Sequence, residues 1–258
     1  MAGRIGKLVN RWHLRRVQEH WARQVAVATG IEAPALHRLR NEARAMRRQI
    51  DGVLEVADGR LALPARGAGL PRMPIGTDWV WRPDPWRRPL AEVGMIATGP
   101  RTPFGDDLAL YHDCPLGEVI LRQIRNRQEA DRAPYGLVLD TFGFQGSFLS
   151  LALGLPDVAI TGLTARHLIE VQVLMQCEVI LPAFARLNLR NGPNVAQVVS
   201  ALTAGPAGPA LAEFDLAYSG ISQHPVEKVW LDLIFNNPAM TRVHLRDVVV
   251  SRRPRAEP

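Results

Sequence analysis

Two carboxylates on either side of a sugar suffice for glycoside hydrolysis when they stand about 5–10 Å apart, one holding a proton and the other attacking or activating water. Asp215 and Asp232 are the pair in this sequence that fits such chemistry, since each lies in an apolar alternating stretch where a carboxylate is costly unless exposed or paired. Asp140 and Asp247 share that setting. Together with Arg122, Arg125, Arg186, Asn188 and Arg190 they form an inventory of planar polar groups suited to hydroxyl-rich ligands, and Trp79, Trp81 and Trp86 add aromatic platforms for sugar rings. The expected activity is therefore non-catalytic binding of a carbohydrate or cell-envelope glycan, through Trp79, Trp81, Trp86, Arg186, Asn188 and Arg190. The competing expectation is structural: Arg–Asp pairs on a solvated sheet face, and indoles that anchor a Pro-rich segment lacking its own hydrogen-bond ladder.

Other chemistries leave no pattern. There is no G-x-S-x-G, no phosphate-binding loop, no H-E-x-x-H and no dinucleotide fingerprint. His112, Asp113 and Cys114 are adjacent, but neighbours along a strand point to opposite faces, so a strand end with a buried cysteine is the favoured reading. The two cysteines, Cys114 and Cys177, have no metal-ligand spacing and cannot build a disulfide framework. No metal and no cofactor is expected.

The elements that would carry these residues fall into three segments. In 1–57, Leu14, Val17, Trp21, Val25 and Ala28 recur every three or four positions, and after Gly30 and Pro34 so do Leu36, Leu39, Ala43, Met46, Ile50 and Val53. Two helices packed as an antiparallel hairpin are predicted, with Trp12 and Trp21 read as near one face. Between Asp58 and Pro103, eight prolines and six glycines erase helical periodicity, which predicts a wrapping segment over 58–105. From 106 to 258 the alternation predicts nine strands, at 107–112, 118–125, 136–142, 147–153, 168–176, 183–190, 212–218, 228–235 and 242–251. The glycines at 143 and 146 are read as a hairpin, and 155–164 and 193–203 as connections with room for a helical turn. With no long helix between the strands, the class is mainly β: an antiparallel sandwich of jelly-roll type behind an N-terminal helical hairpin.

Charge separates the segments. The 258 residues carry a net charge of +6, yet residues 1–50 hold eleven basic against three acidic side chains, leaving the remainder slightly acidic. Arg38, Arg44, Arg47 and Arg48 are thus the candidate contacts for an acidic protein, nucleic acid or anionic membrane surface. Only Lys7 and Lys228 are lysines, a bias better ascribed to base composition than to phosphate recognition. No apolar run reaches the length of a membrane span, and Met1–Asn10 has no secretory pattern, so a cytoplasmic location is expected.

Several stretches resemble a known family: Gly59–Pro64, Thr77–Pro83, Gly146–Leu151, Val229–Phe235 and Leu245–Glu257. Together they are similar to an alphaproteobacterial family of about this length carried only as a domain of unknown function, which implies no activity, cofactor or catalytic residue. More loosely, the Asp-Val-hydrophobic run at 247–250 resembles the last strand of galactose-binding-like jelly rolls.

Overall fold

All nine alternating stretches carry a strand, because each offers an apolar parity to a core, but the stretch 212–218 stays extended only to Asp215 and turns as a short 3-10 helix over Leu216–Tyr218. The computed structural model describes residues 2–61, 69–71, 73–128, 130–179, 181–204, 209–220 and 226–255. The chain divides into two compact units, Met1–Val56 and Ala57–Pro258.

The first unit contains helix α1 (Ala2–Val27) and most of α2 (Ala33–Leu61), separated by a short turn at Ala28–Gly30 where Gly30 and Pro34 predict the break. The seam expected to close between them stays open. Among the described residues of this unit no side chain is buried, and Leu14, Val17, Val25, Ile50 and Val53 are all exposed. Half-buried positions gather toward the turn, at Trp21, Ala28, Ile31, Ala35 and Leu39. Nine residues make about two and a half helical turns, so Trp12 and Trp21 point to opposite sides, contrary to the sequence reading. Trp12 lies instead under the Arg16 guanidinium, 4.3 Å from its ring centre. No described helix is long and apolar enough to cross a membrane.

The second unit runs through β1 (Trp79–Trp81), α3 (Asp84–Arg87), β2 (Gly94–Ala97), β3 (Arg101–Pro103), β4 (Leu108–His112), β5 (Val119–Arg125), β6 (Tyr135–Thr141) and β7 (Leu149–Gly154). It continues with α4 (Asp157–Ile160), β8 (His167–Cys177), β9 (Ala183–Asn191), β10 (Asn194–Ala201), β11 (Thr203–Ala204), β12 (Ala210–Asp215), β13 (Lys228–Phe235) and β14 (Thr241–Pro254). One antiparallel sheet has the order β11-β12-β8-β14-β6-β5-β2, with β1 also paired to β14; the other is β10-β9-β13-β7-β4-β3. Leu121, Leu137, Leu139, Val171 and Val250 of the first sheet and Leu110, Leu151, Leu187 and Leu231 of the second belong to one buried cluster between them. This is the predicted sandwich.

Three local expectations fail. The glycines at 143 and 146 do not close a hairpin, because β6 and β7 belong to different sheets and the segment crosses between them. The stretch after Asn191 is not a loose connection: Gly192 takes φ 62°, closing a tight turn into β10, which pairs with β9 along its length. The Pro-rich segment does more than wrap, since it contributes β1 and β2 to the first sheet and β3 to the second; its residues 62–68 and 72 lie outside the described residues.

Strand β14 explains why the segment around the tryptophans is needed. On one flank it pairs with β6 over Thr241–Leu245 and then with β1 over Val250–Arg252, which leaves 246–249 between the two ladders, and on the other flank its pairing with β8 shifts register between Leu245 and Asp247. The gap is closed by side chains. The Trp86 indole N–H donates to the Leu245 carbonyl at 2.9 Å, the Asn126 amide donates to the Arg246 carbonyl at 2.8 Å, and Arg82 grips the Asp247 carboxylate through two 2.8 Å bonds.

Beside the bulge, His244 packs so closely over the first sheet that a Cβ on Gly136 would lie 2.9 Å from its Nε2. Burial, reinforced by Arg246 and Arg122 against the opposing pull of Asp131, holds the His244 imidazole below its ordinary 6.5. The sign follows from proton binding: above 6.5 the ring is neutral folded or unfolded, and below it the unfolded chain takes up the proton first. Stability should fall as pH drops through and below 6.5, and His244→Gln should flatten that slope in urea denaturation midpoints measured across the range. An unchanged slope in the variant would assign the acid sensitivity elsewhere.

Candidate functional site

On the second sheet the even-numbered residues of β9, β13 and β7 and the odd-numbered residues of β4 face away from the core, as their neighbours of opposite parity fill it. Register then fixes who stands beside whom. Val199, Arg186, Asp232, Ala152, Ala109 and Pro103 form one row across the six strands, and Gln197, Asn188, Trp230 and Gly154 form the next. A third row runs through Phe184, Ile234, Ser150, Tyr111 and Arg101.

The small residues Ala109, Ser150, Ala152 and Gly154 sit together on β4 and β7, while bulkier groups rise on both sides. The result is an open groove of about 850 Å³ whose lining includes Trp230, Ile234 and Arg186 on one flank and Tyr111, Phe148 and Arg101 on the other. That volume lies within the range of about 300–1,000 Å³ usual for small-molecule sites. The Arg101 Nε donates to the Tyr111 hydroxyl at 3.0 Å, which orients both at the flank. At the ends, Lys228 and Arg190 bring positive charge and Asp106 and Asp107 negative. Burial, with Asp84 and Asp106 close by, pushes the Asp107 carboxyl above its ordinary value.

Beneath the groove surface runs a polar chain across β10, β9 and β13. Gln197 donates to the Asn188 Oδ1 at 3.0 Å, Asn188 donates to the Asp232 Oδ2 at 2.9 Å, and the Arg186 guanidinium donates to the same oxygen at 2.8 and 2.9 Å. Asn188 is 0% exposed and lies below the groove surface, while Asp232, 4% exposed in the groove lining, holds Arg186 in place. The sequence reading of Asn188 as a direct ligand contact is corrected accordingly. Arg186 and Arg190 do line the groove, the latter ion-paired with Glu227 at 3.4 Å.

The remaining candidates are elsewhere. Asp215 lies on β12 of the first sheet, where its carboxylate accepts from the Ala217 amide at 3.0 Å and pairs with Arg255, so the sheets keep Asp215 and Asp232 apart and they make no catalytic pair. Asp140 and Asp247 are likewise on the first sheet, bound to Arg122 and Arg242 and to Arg82. Every strand carboxylate singled out in the sequence therefore has an arginine partner. Trp86 is fully buried and is no platform for a ring. Trp79 and Trp81 stack on each other, 6.4 Å between ring centres, half-buried against the core on β1 and not on the groove sheet. The three indoles anchor the chain, as the competing expectation had it. Arg38, Arg44, Arg47 and Arg48 are exposed on α2.

His112 and Cys114 are both buried and Asp113 turns outward, as alternation predicts. Asp113 accepts from the Ser147 hydroxyl and from the Ser147 and Phe148 amides, and these bonds, the hydroxyl's foremost, hold its carboxyl down to about 2. Trp230, the tryptophan that does line the groove, is absent from the candidates named from the sequence. Its signal was available: Val229, Leu231, Leu233 and Phe235 claim the core parity, which forces Trp230 and Asp232 to the other face together.

These features define a two-sheet jelly-roll-like sandwich with a groove on one sheet. The chain belongs to DUF6478, a family of unknown function, which it matches over residues 1–258. No curated protein matches it. Among solved structures it is similar to the enzymatically active domain of bacteriophage CBA120 tailspike protein 4, at 7% identity and TM-score 0.38, covering 55% of this chain and 19% of that one. It is also similar to the CBM22-1 xylan-binding domain from Paenibacillus barcinonensis Xyn10C (10% identity, 57% and 87% covered, TM-score 0.35) and to an apo cyclase from Fischerella sp. (14%, 76% and 97%, TM-score 0.34). The chain thus spans about a fifth of the tailspike domain's length. Likenesses at this level add nothing to the argument about the groove.

Proposed function

We propose that the protein binds a glycan chain in the groove of the second sheet, without acting on it. The observation that carries this reading is the composition of the groove: a floor of small residues flanked by Trp230 and Tyr111, with Arg186 pre-oriented by a buried carboxylate and amide. Aromatic faces take the apolar side of a sugar ring, a guanidinium fixed in place donates to its hydroxyls, and a shallow floor admits a chain lengthwise. Pre-orientation lowers the ordering cost of binding, since the Arg186 fork is held by Asp232 before any sugar arrives.

Titration calorimetry against neutral and uronic-acid oligosaccharides tests the proposal. At least one probe should bind, and Trp230→Ala should weaken it about tenfold or more, in line with about 1.5 kcal/mol for a lost aromatic contact. Trp230 is partly buried on a central strand, so circular dichroism at the assay temperature should confirm that the variant is folded. Binding by the parent that survives Trp230→Ala and Arg186→Ala unchanged would place the glycan outside this groove, and a full panel without heat would remove the proposal.

A further inference from the structure

Helices α1 and α2 form a unit with no buried side chain among its described residues, so nothing in the unit itself satisfies its apolar residues. Those residues are not scattered. At about 100° per residue, Leu14, Val17, Trp21 and Val25 fall within about 80° of one side of α1, and Leu36, Leu39, Ala43, Met46, Ile50 and Val53 within about 100° of one side of α2. On α2 the adjoining arc carries Arg40, Arg44, Arg47 and Arg48. Intrahelical pairs engage Arg15 with Glu19 and Arg47 with Asp51, and the first fifty residues retain a net charge of +8.

Charge chooses among the surfaces that could cover such stripes. A second copy would bring a second +8 against the first, which opposes association at ordinary ionic strength. A nucleic acid would satisfy the arginines and leave Val25, Ile50 and Val53 in water. An anionic bilayer surface takes both: the apolar stripe enters the headgroup–acyl boundary, and flanking arginines extend along it to the lipid phosphates.

From this combination we infer that the α1–α2 arm is a peripheral membrane-docking element that recognises anionic phospholipid. The test below uses residues of α1 and α2 alone, so its outcome is independent of that for glycan binding.

The full chain should co-sediment with vesicles of phosphatidylcholine plus phosphatidylglycerol and not with phosphatidylcholine alone, and added salt should weaken binding. Arg44→Glu, Arg47→Glu and Arg48→Glu combined should lower the partition coefficient more than about a hundredfold, at about fivefold per basic charge removed. The matching triple lysine variant, which keeps the charge, should bind. Ile50→Asp with Val53→Asp should abolish binding while far-ultraviolet circular dichroism stays at the parental value. The inference is overturned if anionic vesicles are not preferred, or if the Asp variant binds like the parent, which would leave simple charge attraction. A salt-resistant dimer in sedimentation equilibrium, lost in the Asp variant and with no vesicle binding, would assign the stripe to a second copy instead.

Discussion

Trp86→Ala should lower the unfolding free energy by about 3–5 kcal/mol, the usual range for removing a fully buried large aromatic from a core. Trp86 is 0% exposed, and its indole N–H also donates to the Leu245 carbonyl at 2.9 Å, next to the β14 bulge. Two losses therefore coincide, a cavity and an unsatisfied buried acceptor. Trp86→Phe separates them, because it keeps most of the apolar surface and gives up only the hydrogen bond; a smaller cost of about 1–3 kcal/mol is expected for it. Urea denaturation followed by near-ultraviolet circular dichroism measures both. A cost below about 1 kcal/mol for the alanine variant would mean that 84–87 is not docked on the sandwich as described.

The second large effect concerns the same bulge from its other side. Arg246, the residue at the register shift, is almost buried with Asp131, which is 2% exposed and also accepts from the Gln128 amide at 2.6 Å. The Arg246 Nε donates to its Oδ1 at 2.7 Å. Removing Asp131 alone leaves a guanidinium without its counter-charge, and Asp131→Ala should cost about 3–5 kcal/mol. Removing both charges should cost much less, since well-packed apolar side chains commonly replace a buried ion pair with little net loss. Asp131→Ala with Arg246→Met should then recover most of the stability in the same denaturation assay. Equal losses in the single and double variants would show that packing volume, and not the unpaired charge, sets the effect.

How much of this was legible beforehand depends on how far each feature reaches along the chain. Strands β4 to β9 and β12 to β14 announce themselves through parity, which is local, and the whole sandwich follows from it. Strands β1, β2 and β3 are three or four residues long and interrupted by proline, too short to show a period, and exist because β14, β5 and β4 offer them edges. Strand β10 looks like a connection in the sequence because its two parities differ little in polarity, with Val195 and Val199 on the exposed side. At the groove, Arg186 and Arg190 could be named from residue type, and Trp230 from parity, but the partner of Asp232 could not. Its pairing with Arg186 spans 46 positions and depends on β9 lying beside β13. The misplacement of Trp86 has the same origin: a tryptophan among prolines looks displayed until the bulged strand that it caps, 159 positions away, is in view.

Strand β14 also orders events in time. It lies between β8 and β6 and receives β1, with Trp79 opposite Arg252, so three parts of the first sheet meet only through it. During synthesis the strands on either side of that slot are made first and must wait with open edges until residues 241–254 have emerged. The sandwich should therefore be slow to reach its native pairing on the ribosome. A nascent chain halted before Thr241 is the form in which the protein should be most exposed to chaperones and to edge-to-edge aggregation.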